Sequence, residues 1–126
     1  MTSDPPRFPP YPIRGVRVLH QRQNCAPQFA EIVVDFEPTV AGFAFHVAEG
    51  LTVDYEPAED LPRFFAAVAA GIEEQLSLPR HRVVVATRAV LRQARAERIG
   101  SHELAFRVAG YLAAREALER TAVPGA

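Results

Sequence analysis

Two short clusters in this chain contain the residue types that nucleophilic catalysis uses. Ser101, His102 and Glu103 are the residue types of a hydrolase triad, but they are consecutive in a predicted helix. Consecutive helical side chains project about 100° apart and cannot form a relay among themselves, so we interpret Ser101 as a helix cap. Cys25 lies near His20 in sequence, but no cationic neighbour or helix N-terminus activates its thiol. A free, partly buried thiol is therefore the favoured interpretation of Cys25.

Acid/base and metal chemistry also lack support. Glu73 and Glu74 are neighbours on a predicted helix and point to different faces, which predicts solvated carboxylates or an ion pair with an arginine. The histidines show neither paired spacing nor a Cys-x-x-Cys companion; they are His20, His46, His81 and His102, and His46 is expected to be half-buried. No Gly-x-x-x-x-Gly-Lys-Ser/Thr loop is present. We predict a non-catalytic chain without a metal or cofactor.

The arginines in the second half of the chain are the remaining candidates for a binding function. All 14 basic residues are arginine, and the formal net charge is -1. Charge is nevertheless segregated, because an acidic block over 49–60 precedes a basic block over 80–98. Arginines bind RNA phosphates by releasing counterions, so we predict an RNA- or ribosome-binding surface. Its candidate residues are Arg82, Arg88, Arg92, Arg95 and Arg98.

Other interpretations of the same surface stay open. The arginines could form a solvated loop in a chain that contains no lysine, because few exposed aromatic residues accompany them to stack on bases. The competing functional hypothesis is a module that binds a protein or a small ligand. Its partner would dock on the sheet face or on a proline-rich arm, and self-association through the sheet face is one form of it.

The elements that must position these residues alternate between extended and helical patterns. Strands are predicted from Ile13 to His20, from Glu31 to Glu37, from Phe43 to Val53, and from about Val83 onwards. The arginines of this last strand are predicted to lie on a solvent-exposed, basic face of the sheet. Asp60 is expected to cap a first helix that buries Phe65, Val68, Ile72 and Leu76, and Gly71 in this helix indicates close approach to a neighbour. A second helix begins at Ser101 and buries Leu104, Val108, Tyr111 or Leu112, and Leu118. The order β-β-β-α-β-α predicts an α/β (α+β) fold, a two-layer sandwich of a four-stranded mixed sheet with both helices on one face.

The ends of the chain differ from this central region. Residues 1–13 contain five of the 11 prolines and are expected to form a flexible arm, or to lie along the domain with Phe8 and Tyr11 as anchors. Residues 14–120 form the folded domain, and 121–126 form a short tail. With 48% hydrophobic and 23% charged residues, no long apolar run and no secretory core, the chain is expected to be cytoplasmic and not bound to a membrane.

Four segments of the chain occur in the order and approximate spacing of one known domain. They are Gln28-Phe29 leading to Phe36-Glu37-Pro38, then Gly42 to Phe45, Ala70 to Glu74, and Ser101 to Leu118. The last segment closely resembles the final helix of domain IV of translation elongation factor G, whose pattern reads Ser-Ser-Glu-Met/Leu-Ala-Phe-Lys-Ile-Ala-Gly. The resemblance covers roughly residues 20 to 120. The chain is thus similar to a stand-alone domain IV.

This resemblance implies a fold, a partner and a role. It implies a left-handed crossover between parallel strands, whereas a right-handed one is the general expectation. In elongation factor G, domain IV enters the decoding centre of the small ribosomal subunit, and in related tetracycline-resistance ribosomal protection proteins it displaces the drug. The resemblance therefore implies a translation-associated domain whose partner is the small ribosomal subunit or RNA.

Two loops that carry the family's ribosomal contacts differ in this chain. A glycine-rich loop of the family corresponds to Gln23 to Pro27, which has lost the glycines and is stiffer. The second loop corresponds to Gln93 to Gly100, with Glu97 in place of a histidine and with arginines that make it more basic. An orphaned module that has lost the ribosomal contacts is therefore the alternative function.

Overall fold

A computed structural model describes residues 4–122 of the chain. Five strands and two helices follow one another: β1 (Arg7–Phe8), β2 (Ile13–Arg22), β3 (Gln28–Pro38), β4 (Gly42–Val47), α1 (Leu61–Leu76), β5 (Val84–Arg95) and α2 (Glu103–Thr121). One-turn helices precede α1 and β5. Residues 1–3 of the predicted arm and 123–126 of the predicted tail lie outside the described residues. The third strand is shorter than predicted, because the chain leaves the sheet after Val47 and turns at Gly50, where φ is +79°.

The four long strands form a mixed sheet in the order β4-β5-β3-β2. β4 is parallel to β5, and the other two pairings are antiparallel. The inward side chains of this sheet and the two helices share one hydrophobic core, which confirms the predicted two-layer α+β sandwich. α1 connects the adjacent parallel strands β4 and β5; the left-handed sense of this crossover stays a prediction.

The N-terminal arm lies along the domain in residues 4–12. β1 pairs in parallel with the start of β5, and Phe8 is buried, with its ring 6.3 Å from that of Phe36. The Thr87 hydroxyl donates a hydrogen bond of 2.7 Å to the Phe8 carbonyl. Phe8 is therefore an anchor to the core, whereas the second proposed anchor, Tyr11, is exposed. A partner that binds proline-rich peptides could not reach the Phe8 side chain.

α1 buries three of its four predicted residues, Val68, Ile72 and Leu76, whereas α2 buries a face one position away from the predicted one. In α1 the buried aromatic residue is Phe64 rather than Phe65, and its ring stacks on Phe106 at 4.8 Å. Leu104 is 54% exposed. The buried residues of α2 are mostly small: Ala105, Phe106, Ala109, Gly110, Ala113, Ala114 and Ala117. α2 lies between α1 and the strands β2 and β3, so close approach on two sides favours small residues over the leucines that periodicity alone selects.

The start of each helix also differs from the prediction. Asp60 makes no side-chain capping bond at α1 and pairs instead with Arg63. At α2 the cap is His102, whose Nδ1 accepts a hydrogen bond from the Ala105 backbone N–H at 3.4 Å. Ser101, the predicted cap, is therefore free to bind the neighbouring loop. Asp60 does occupy the predicted N-cap position of α1, whereas the cap of α2 lies one residue after the predicted one, because several polar residues precede that helix.

Gly71 and Gly110 form the point where α1 crosses α2. A Cβ atom on Gly71 would overlap the Arg107 carbonyl oxygen and lie 2.9 Å from the Tyr111 nitrogen. A Cβ atom on Gly110 would overlap the Val68 carbonyl oxygen in the same way. The predicted close approach at Gly71 is thus confirmed, and the neighbour is α2.

Candidate nucleic-acid interface

A β-bulge in β5 decides which arginines share the outer, helix-free face of the sheet. Val34 pairs with Leu91 and Val33 pairs with Gln93, so Arg92 is an extra residue in β5. Side chains alternate between faces, and the extra residue reverses that alternation beyond position 92. Arg95 therefore lies on the same face as Arg88, opposite the core. No pattern of single residues in the sequence marked this bulge.

The Asp35 carboxylate holds two irregular strand segments together. It is 5% exposed and accepts a hydrogen bond of 2.8 Å from Arg92 Nε. Its other oxygen accepts a bond of 2.8 Å from the backbone N–H of Gly15, where β2 has its own irregularity and φ is +67°. The hydrogen bond from Arg92 to Asp35, and then their opposite charges, raise the pKa of Arg92. The Arg92 guanidinium is thus already paired with a carboxylate of the same domain.

The other arginines of the outer face also meet carboxylates of β3. Glu31 accepts hydrogen bonds of 2.8 Å from Arg17 and from Arg95. Glu37 lies 3.8 Å from both Arg14 and Arg88. The predicted wet face exists, but its positive charge is partly neutralised by the central strand. The sequence could have indicated this neutralisation, because Glu31, Asp35 and Glu37 are spaced to lie on the same face of one strand.

The ion pairs at Glu31 have an electrostatic consequence. The hydrogen bond from Arg95 is the main reason that the pKa of Glu31 is lowered, although partial burial opposes the shift and Arg17 adds to it. The charged form of Glu31 is therefore favoured in the folded protein. Because both arginines are more than half exposed, the pairs contribute little to stability individually.

Two loops lie side by side at one end of the domain, which we call the tip: residues 23–27 and 96–100. The Phe29 N–H donates a hydrogen bond of 2.8 Å to the Gly100 carbonyl. Ser101 Oγ donates to the Phe29 carbonyl at 2.9 Å and accepts from the Glu97 N–H at 2.8 Å. These three bonds fix the second loop against the start of β3. Ser101 therefore positions the tip, a role that its interpretation as a helix cap missed.

Two exposed arginines belong to the tip. Arg22 ends β2 and Arg98 lies in the second loop, and neither forms an ion pair within residues 4–122. Arg95, in contrast to these two arginines, makes a cation–π contact within the domain: its guanidinium lies over the Phe29 ring, 4.8 Å from the ring centre. Arg98 borders a small cleft of about 370 Å³ that Asp54 and Glu56 also line. Arg22 was not among the predicted site residues, although its position next to loop 23–27 in the sequence could have identified it as a residue of the tip.

The five predicted arginines do not form one site. Arg88, Arg92 and Arg95 lie on the outer sheet face, and Arg98 lies at the tip. Arg82 precedes β5 in a left-handed conformation, with φ of 51°. β5 has 12 residues, and an extended strand of that length spans roughly 40 Å, so Arg82 is at the opposite end from Arg98.

An open groove of about 520 Å³ crosses the outer face close to the tip. Its walls include charged residues of three strands and part of the segment that follows β4: Arg17, Glu31, Arg92, Arg95, Leu51 and Asp54. Acids and arginines alternate in it, so the groove has no single sign of charge. It offers ion pairs to a ligand but no group that is set apart for proton transfer.

The residues considered for catalysis are separated in the structure. His20 Nε2 bonds to Gln28 Oε1 at 2.7 Å, and Cys25 is exposed in the first tip loop rather than partly buried. His46, predicted to be half-buried, is exposed. Within residues 4–122 there is no group of three His, Cys, Asp or Glu side chains placed to hold a metal ion. In the same part of the chain, none of the helices is both long and apolar enough to span a membrane.

Comparisons with known proteins show similarity to solved structures. No protein-family model matches the chain, and no curated protein matches it. Among solved structures, the chain is similar to the crystal structure of ttk003000868 from Thermus thermophilus, with a TM-score of 0.59 and 19% sequence identity. The match covers 86% of this chain but only 16% of that protein. This similarity supports a compact α/β fold, which in the Thermus protein is one part of a much longer chain.

Proposed function

We propose that this chain is a non-catalytic, translation-associated, cytoplasmic domain that binds RNA phosphates, on the small ribosomal subunit or elsewhere, with its tip. The proposal extends the resemblance to domain IV of translation elongation factor G. The observation that carries it is the tip itself. The bond between Phe29 and Gly100 ties loop 96–100 to the start of β3, directly after loop 23–27, and Arg22 beside the first loop and Arg98 within the second are exposed at one end of the domain.

The outer sheet face has a secondary role in this proposal. Arg92 is bound to the buried Asp35, and Arg95 is shared between Glu31 and the Phe29 ring. A phosphate would have to compete with these carboxylates, which reduces the gain from each new contact. Arg88 lies 3.8 Å from Glu37 and is less tightly held. We therefore place the main phosphate contacts at Arg22 and Arg98.

The ion pairs on the sheet also support the alternative, an orphaned binding module without ribosomal contacts. A face on which each β3 carboxylate meets arginines of neighbouring strands is already satisfied internally. Such a face needs no RNA to neutralise it. The two functions differ in their response to salt, because phosphate contacts release counterions and weaken steeply as salt rises.

The test is binding to purified small ribosomal subunits and to a structured RNA at low and high salt. The informative variant carries Arg22→Glu and Arg98→Glu. We expect it to bind at least tenfold more weakly than the unmodified chain and to lower the slope of log K against log salt by about 2, one unit for each lost phosphate contact. Arg92 and Arg95 stay intact, because reversing them would set carboxylates against Asp35 and Glu31.

The matched control is the variant with Arg80→Glu and Arg82→Glu. It changes the net charge by the same amount at the opposite end of the domain, and it should bind RNA as the unmodified chain does. Circular dichroism of both variants checks that they are folded. Salt-sensitive binding that survives the two tip substitutions would contradict a tip site, and an absence of salt-sensitive binding in the unmodified chain would favour the orphaned module.

A further inference from the structure

The end of the domain opposite the tip carries an exposed surface that the proposed function does not use. We call it the basal patch: Arg7, Val40, Arg80, Arg82 and Val84. Arg7 Nη1 donates a hydrogen bond of 2.8 Å to the Val40 carbonyl, and Arg7 lies opposite Val84 in the pairing of β1 with β5. Arg80 and Arg82 belong to the turn that leads into Val84.

The basal patch combines exposed apolar side chains with available positive charge. Val40 is 81% exposed and Val84 is 44% exposed. None of its three arginines forms an ion pair within the described residues, in contrast to the arginines of the outer sheet face. The nearest acids along the chain are Asp4, three residues before Arg7, and Glu37, three residues before Val40; Glu37 already lies beside Arg14 and Arg88, so positive charge predominates in the patch. The patch has the composition of a docking surface for a protein that presents carboxylates.

The same chain presents a surface of the opposite charge. The segment from Glu49 to Glu59 follows β4 and leads to α1, and the carboxylates in it are exposed; they are Glu49, Asp54, Glu56 and Glu59. No ion pair within residues 4–122 involves any of these four. Arginines lie close to part of this segment: Arg98 lines a cleft with Asp54 and Glu56, and Asp54 also borders the groove that Arg17, Arg92 and Arg95 line.

The two surfaces cannot meet within one molecule. Asp54 and Glu56 share a cleft with Arg98 beyond the end of β5, whereas the basal patch lies where β5 begins, roughly 40 Å away. Two copies of the chain placed head to tail have no such restriction. Opposite charges on a polarised molecule also steer such an encounter.

We propose that a second copy of this chain docks its acidic segment, residues 49–59, on the basal patch. The contact is heterologous, because each copy contributes a different surface, so a complex of two still has one free basal patch and one free acidic segment. Association should therefore continue beyond two copies as the concentration rises. It should weaken in high salt, because the charges at its rim are exposed.

Sedimentation velocity tests this association across micromolar to submillimolar protein concentrations at about 50 mM and about 500 mM salt. We expect the mean mass of the unmodified chain to rise with concentration at low salt, without a plateau at two copies, and to fall at high salt. The basal variant, with Arg80→Glu and Arg82→Glu, and the segment variant, with Glu56→Gln and Glu59→Gln, should each associate roughly tenfold more weakly. Arg115→Glu with Arg120→Glu, at exposed positions of α2, is the matched control and should associate normally.

Mixing the variants gives a decisive result. The basal variant keeps its acidic segment and the segment variant keeps its basal patch, so an equal mixture should form a complex that stops at one copy of each. A monomeric unmodified chain, an association that salt does not weaken, or a mixture that stays monomeric would overturn the proposal. Loss of RNA binding in the basal variant would also overturn it, by assigning the patch to RNA. None of these outcomes depends on the tip variant, so this proposal and the proposed function can fail separately.

Discussion

Replacing Gly71 with alanine sets two known effects against each other at the crossing of α1 and α2. Alanine is favoured over glycine in a helix interior by about 1 kcal/mol, so helix propensity alone would stabilise the variant. The new Cβ atom, however, would overlap the Arg107 carbonyl oxygen and lie 2.9 Å from the Tyr111 nitrogen. Backbone atoms of a helix cannot rotate away as a side chain can, so the two helices must separate.

The steric effect should win. Overpacking a core typically costs about 1–3 kcal/mol, and separation of the helices also loosens the stack of Phe64 on Phe106, which places this site at the upper end of that range. Subtracting the gain in propensity leaves a net loss of about 2 kcal/mol. With a urea slope of about 2 kcal/mol/M for a domain of this size, the midpoint of unfolding should fall by about 1 M.

Urea unfolding monitored by circular dichroism measures this shift, and two further variants sharpen it. Ala66→Gly changes an exposed residue of α1 and should cost about 1 kcal/mol from propensity alone. The double variant with Gly71→Ala and Gly110→Ala should lose less than the sum of the single variants, because helices already separated by one methyl group accommodate the second. A Gly71→Ala variant as stable as the unmodified chain, or more stable, would refute the close crossing of the helices.

Two other predictions concern the outer sheet face. Asp35→Ala leaves the Gly15 N–H and Arg92 without their acceptor, so we expect the free energy of unfolding in urea to fall by about 1–3 kcal/mol. The control Glu37→Ala removes only long ion pairs with exposed arginines and should change stability by less than about 0.5 kcal/mol. Equal losses in the two variants would disprove the role of Asp35. The pKa of Glu31 is lower in the folded than in the unfolded protein, so its contribution to stability is complete above its ordinary pKa of about 4.5 and disappears as the pH falls through the folded value. Unfolding curves from pH 6 down to about pH 3 should therefore show a smaller decline for Glu31→Gln than for the unmodified chain, and identical declines would contradict the pairing with Arg95 and Arg17.

The sequence predicted the layers of the fold well because burial leaves a periodic signal. Ile32, Val34 and Phe36 alternate with charged residues, and the structure places them in the core. The same signal failed for α2, where Leu104 is exposed and alanines are buried. Hydrophobicity ranks leucine above alanine, but the buried face of α2 consists of small side chains apart from Phe106, and the space available to it depends on both neighbours, α1 and the sheet.

The candidate site was less predictable because it depends on register. Arg88 and Arg92 were predicted to lie on one face of a strand and Arg95 in the loop that follows it, but β5 continues to Arg95, and the bulge at Arg92 brings Arg95 to the outer face. Pairing between strands then sets Glu31 against Arg17 and Arg95, which turns a basic strand into part of an ion-pair network. Arg82 and Arg98 were grouped by sequence distance, although an extended strand separates them.

By itself, the sequence determined the approximate positions of the four long strands and the two helices. It also determined that one face of the sheet is wet and that Gly71 meets a neighbour, since each of these follows from local periodicity or from the size of one residue. Tertiary structure alone decided which arginines are bound by carboxylates and which are free. It also decided that Ser101 fastens the tip loop and that the acidic segment and the basal patch lie far apart. These properties depend on atoms from residues distant in the chain, whose separations are fixed only when strands pair and helices pack around one core.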